Sequence, residues 1–105
     1  MKDSEIIATL KSLLPVCAVL KRAVIKRPDE ETLIENGVER VIQIHFSIKG
    51  FGAETMRLEQ EIKPGIDSTE AYKLITDFTW CAFKVCRDRM MINYFDREKK
   101  TTVEH

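Results

Sequence analysis

The run Val41-Ile42-Gln43-Ile44-His45-Phe46-Ser47-Ile48-Lys49 decides the fold. Ile42, Ile44, Phe46 and Ile48 alternate with Val41, Gln43, His45, Ser47 and Lys49, the period of a strand with one face in a core. Gly50-Phe51-Gly52 interrupts the run. Beyond it, Met56, Leu58 and Ile62 resume the inner face, and Thr55, Arg57, Glu59 and Glu61 the outer one. The pattern predicts a hairpin. A five-residue loop sets Phe46 opposite Met56, Ile44 opposite Leu58 and His45 opposite Arg57. A longer loop sets His45 opposite Glu59.

Towards the N-terminus, Ile6, Ile7, Leu10, Leu13 and Leu14 share one face of a helix. Asp3 or Ser4 is placed to cap it, and Pro15 ends it. The stretch from Val16 to Arg27 is β-rich, but its alternation is untidy, as in a central strand or one with a bulge. Residues 28–37 are polar and acidic and read as a loop or a loosely paired extension. Asn36-Gly37 suits either a hairpin turn or the end of a helical turn with Gly37 left-handed.

Towards the C-terminus, Pro64-Gly65 closes the sheet. Asp67 with Glu70 makes an acidic capping pair. No Gly or Pro interrupts the chain from Asp67 to Lys100. The expected order is α-β-β-β-α in the α+β class. It gives an antiparallel sheet of three or four strands, with an N-terminal helix and a long C-terminal helix on one face. Residues 1–102 make a single domain, and Val103-Glu104-His105 reads as the remnant of a purification tag.

Composition sets the function classes. A chain of 105 residues holds one domain, and 44 % hydrophobic residues suffice for a modest core. Seventeen basic residues balance seventeen acidic ones, which excludes the strongly basic footprint of a general nucleic-acid binder. The zero is a sum of unlike parts. Residues 1–27 hold six basic and two acidic groups, residues 28–70 four and ten, and residues 71–105 seven and five. Within the first part, Lys21, Arg22, Lys26 and Arg27 are candidates for phosphate contacts, which makes nucleic-acid binding the alternative function.

Three cysteines without a CxxC pair point to reduced thiols and a cytoplasmic setting. No apolar run approaches the length of a membrane span, so no membrane is expected. Nucleotide, phosphate and hydrolase motifs are missing. His45 stands without a nucleophile or ligand set, and Cys81 and Cys86 diverge on a helix and read as buried structural thiols. Glu59 and Glu61 share a strand face with nothing to desolvate them. Neither catalysis nor a metal or cofactor is expected.

The C-terminal helix carries two apolar stripes. At about 100° per residue, Ala71, Leu74, Ile75, Cys81, Ala82, Val85 and Ile92 fall within about 60° of Phe78 and should cover the sheet. Tyr72, Trp80, Phe83, Met90, Met91 and Tyr94 lie on the back with Arg87, where a one-sided surface helix would be polar. Either the helix kinks or is crossed by the first helix, making the back stripe interior, or the stripe is an interface. Trp, Tyr, Met and Arg are enriched in interface cores. A helix from Ser68 to Phe95 is also roughly 42 Å long, more than a ten-residue strand of about 33 Å can cover. Phe51, between two glycines at the hairpin tip, either anchors a partner or folds back on the sheet.

The order α-β-β-β-α resembles that of double-stranded-RNA-binding domains. Their second helix begins with a lysine-rich phosphate-binding motif, whereas Asp67-Ser68-Thr69-Glu70 is acidic here. Small phage and mobile-element proteins, among them inhibitors of host defence and virion-assembly factors, are similar in size and order. The expected function is that of a non-enzymatic protein–protein interaction module. It would be a homodimeric adaptor, inhibitor or assembly factor whose partner is itself or another protein. Its interface would be Trp80, Phe83, Arg87, Met90, Met91 and Tyr94.

Overall fold

A computed structural model of the chain describes residues 1–52 and 54–103, and the side chains of all of these except 32, 33, 93 and 95–103. Glu104 and His105, the end of the expected tag remnant, lie outside the described residues. The elements are α1 (Asp3–Leu13), β1 (Ala18–Lys26), α2 (Glu30–Asn36), β2 (Arg40–Ile48), β3 (Met56–Ile62) and α3 (Ser68–Val103). Among the described residues the strands form one antiparallel sheet in the order β1-β2-β3, three strands rather than four. The α+β class and the α-β-β-β-α order hold, with α2 as an addition between β1 and β2.

The hairpin takes the shorter-loop register: Phe46 opposes Met56, Ile44 opposes Leu58 and His45 opposes Arg57. On the inner face Ile42, Ile44 and Phe46 are fully buried and Ile48 and Ile62 nearly so. Ile6 and Leu10 of α1 and Ile75, Phe78, Ala82 and Cys86 of α3 pack onto them in one cluster, so both long helices lie on one face of the sheet.

The untidy alternation of the first strand has a local cause. The register between β1 and β2 shifts between Leu20 and Arg22, a bulge that leaves Lys21 as the extra residue. Before it Ala18 and Leu20 pack on the core; after it Ala23 and Ile25 do, so the inward parity changes. β1 is an edge strand, where bulges are common.

Two expectations about helix ends are corrected. The N-cap of α1 is Lys2, in extended conformation and with no side-chain cap, instead of Asp3 or Ser4. Asp3 is engaged elsewhere: Arg27 Nη2 donates to it at 3.1 Å and Arg40 Nη1 at 3.1 Å. Arg40, whose side chain is 9 % exposed, also donates to the Met1 carbonyl at 2.8 Å. These bonds pin the start of α1 to the ends of β1 and β2, and so fix where its other end falls. Residues 30–36 are helical and not a loop. Glu30 and Glu31 suit the positive end of that helix, and Gly37 takes a left-handed φ of 64° just past its end. At the start of α3 the acidic cap forms as expected, with the Glu70 N–H donating to Asp67 Oδ1 at 2.8 Å.

α3 is longer than anticipated, 36 residues, or roughly 54 Å at 1.5 Å per residue. The molecule measures 61 × 27 × 21 Å, so the helix sets its long axis. Among the described residues Cys86 is the last of α3 in the buried core. Arg89, paired with Glu54 from the segment before β3, marks the end of the part braced by the sheet. Residues 90–103 run on for about 21 Å beyond it.

Candidate interaction surface on the C-terminal helix

The core stripe of α3 is rotated from its expected centre. Thr79 is buried, whereas Cys81, placed by its spacing among the core residues, is exposed. The buried set runs from Phe78 through Ala82 and Ile75 to Cys86 and Thr79, centred about 50° from Phe78. The reason is α1, which packs against α3 on that flank and pulls burial towards Thr79 and Cys86. Ile92, also assigned to the core stripe, is 53 % exposed because the sheet ends before it.

The back stripe is not interior to the monomer. Tyr72, Trp80, Phe83, Met90, Met91 and Tyr94 all lie at the surface, from 37 % exposed at Met90 to 58 % at Tyr94. Arg87 is exposed among them, 3.4 Å from the Asp88 carboxylate. The Trp80 and Phe83 rings stack, with centroids 5.1 Å apart and planes at 21°. Trp80, Phe83, Arg87, Met90 and Tyr94 follow one another at spacings of three, four, three and four. That is the seam pattern by which two helices pack side by side. This spacing is the signal that sequence reading by a single-helix wheel passes over.

The seam has two unlike halves. Its first half borders a groove of about 560 Å³ between the end of α1 and α3. Leu13 and Pro15 form one wall; Thr76, Asp77, Thr79, Trp80 and Phe83 form the other. The sequence marks Leu13 and Pro15 only as the last turn and the stop of α1. Their part in the groove follows from where the Arg40–Asp3 anchor aims that helix. The second half, Met90, Met91 and Tyr94, stands on the projecting end of α3.

The other candidate residues are dispersed. Phe51 is partly buried and packs against the core, between Gly50 and Gly52, both with positive φ. Arg22 and Lys26 sit opposite His45 and Val41 on the sheet face that the helices leave uncovered. Glu59 and Glu61 occupy the same face on β3, with the central strand between them and the basic residues; Lys26 shares a row with Glu61 and Arg22 with Arg57. Lys21 occupies the bulge and Arg27 is paired with Asp3. On the same face Arg57 pairs with Glu59 at 2.9 Å, and Gln43 donates to Glu59 at 2.6 Å. Among the described residues no group of three His, Cys, Asp or Glu is placed to hold a metal ion, and no helix is long and apolar enough to cross a membrane.

The chain matches no protein-family model, no curated protein and no solved structure significantly.

All three cysteines are free. Burial, with Cys17 hydrogen-bonded beside it, pushes the Cys86 thiol from its usual 9.0 up to about 12. In the unfolded chain that thiol ionises near 9. Above pH 9 the unfolded chain therefore sheds a proton that the folded chain keeps, and stability falls as pH rises from 9 to 12. The slope from this group is at most about 1.4 kcal/mol per pH unit. Urea midpoints at pH 8 and pH 10 should differ more for the native chain than for Cys86→Ala. An equal drift in both would show that Cys86 is not its source.

Proposed function

We propose that this chain is a protein–protein interaction module that works as a homodimer built on α3, in the role of an adaptor, inhibitor or assembly factor. The reading assigns it no catalysis. The observation that carries it is the seam: five large or charged side chains at heptad spacing, running from the body of the domain onto a projecting helix. Isolated helices of about 14 residues are marginal in water, so the projecting end of α3 gains stability from packing along its apolar side. The exposed Trp80, Phe83, Met90, Met91 and Tyr94 side chains along α3 form a patch of the kind that marks interaction surfaces. A net charge of zero does not oppose self-association, and two-fold dimers are the commonest assembly. Three free thiols suit a reducing cytoplasmic setting.

Light scattering and sedimentation of the native chain and of a Trp80→Glu/Phe83→Glu variant test this. The native chain is expected at twice 12.2 kDa and the variant at 12.2 kDa, with unchanged far-ultraviolet circular dichroism. A second variant, Met90→Glu/Tyr94→Glu, lies beyond the core and should dissociate the dimer without touching the fold. A native chain that stays monomeric at high micromolar concentration overturns the proposal.

A further inference from the structure

We infer that the two copies pair their α3 helices antiparallel, each seating its projecting end in the other's groove between α1 and α3. This rests on the homodimer reading above and specifies its geometry. The two halves of the seam differ in shape. The half at Thr76, Trp80 and Phe83 is recessed beside Leu13 and Pro15, and the half at Met90 and Tyr94 projects past the body. A parallel pair would set projection against projection and leave both grooves empty. It would also stack Arg87 on its own copy in the middle of the seam, two like charges in contact. An antiparallel pair sets each recess against a projection.

The register follows from the spacing. In antiparallel helices the alternate seam positions of one copy face those of the other. Pairing Trp80 with Met90 of the second copy places Phe83 against its Arg87, and Thr76 against its Tyr94. Each contact is of a favourable kind: thioether on indole, guanidinium on an aromatic face, and tyrosine, a ring with a polar tip, in a groove that joins Leu13, Trp80 and Phe83 to the polar Thr76 and Thr79. The two-fold axis then crosses α3 near Val85, and the helices overlie each other along nearly their whole length from Ser68 to Val103. Shifting the register by one heptad in one direction sets Tyr94 against Thr69, outside the groove, and in the other sets Met90 against Arg87 in place of Trp80. Trp80, Phe83, Met90, Met91 and Tyr94, each already at the surface and joined by the groove walls, supply the apolar centre for an interface of about 800 Å² per partner, the size a stable dimer needs.

Spin labels at two exposed positions flanking the seam test the arrangement. Lys73→Cys and Lys84→Cys are made separately in a background with Cys17 and Cys81 replaced by serine, and distances between copies are measured by double electron–electron resonance. At 1.5 Å per residue about an axis near Val85, the Lys84 labels should lie close, within roughly 20 Å, and the Lys73 labels roughly 35 Å or more apart. Short distances at both positions mean a parallel pair, and long distances at both mean contact elsewhere on the molecule. Either result overturns the reciprocal seating while leaving the homodimer standing. A monomeric mass for the native chain, from the light-scattering experiment above, removes the homodimer itself.

Discussion

Phe46→Ala should cost the fold about 3–5 kcal/mol, a large part of the 5–15 kcal/mol that holds a domain together. Phe46 is the largest of the fully buried side chains. It stands on β2, the central strand, on the face where α1 and α3 converge. Truncation removes its transfer energy and leaves a cavity walled by strands on one side and helices on the other. The strand wall does not collapse readily on the β3 side, because β3 is hydrogen-bonded to β2 in unbroken register around Phe46. Urea unfolding followed by circular dichroism reads the effect as a lower midpoint at an unchanged slope. His45→Ala, one residue along and on the opposite face, should move the midpoint by less than about 0.5 kcal/mol in equivalent stability. If the two variants shifted the midpoint alike, the inner and outer faces of β2 would have been assigned wrongly.

That contrast between faces was legible in the sequence because a strand's period is two and the hairpin keeps it without interruption. The same test fails for β1, where one extra residue at Lys21 changes parity mid-strand, and a bulge has no signature beyond the disorder it causes. It fails again at α2. Glu30, Glu31 and Gly37 are ordinary helix-end signals, but seven residues are too few to show a period, and Ile34 is left 76 % exposed. In α3 the two stripes were readable, but the boundary between them was not. A helical wheel centred on Phe78 counts Cys81 as core. The flank on which α1 packs, which no local pattern reveals, turns burial away from Cys81 and towards Thr79. The groove is less legible still, since Leu13 and Pro15 reach Trp80 only through a helix aimed by the contact of Arg40 with Asp3, 37 residues apart.

A chain shortened after Arg89 should keep its fold and lose its self-association. Among the described residues the core ends at Cys86, and the contact of Arg89 with Glu54 is retained, so none of the described buried side chains is removed. What goes is the projecting half of the seam, and with it the group that each copy would place in the other's groove. Trp80, Phe83 and the groove walls remain, but nothing is left to fill them. On the homodimer reading, both halves are needed at each of two symmetry-related contacts, so one truncation removes two. Sedimentation should show a monomer at concentrations where the full chain is a dimer. Thermal unfolding separates this from simple damage. A dimer's midpoint rises with protein concentration by mass action, whereas a monomer's does not. The full chain should therefore lose its advantage in midpoint on dilution and converge on the shortened one. A shortened chain that still dimerised would place the contact on the remaining surface, and one that unfolded outright would show that residues after Arg89 support the core.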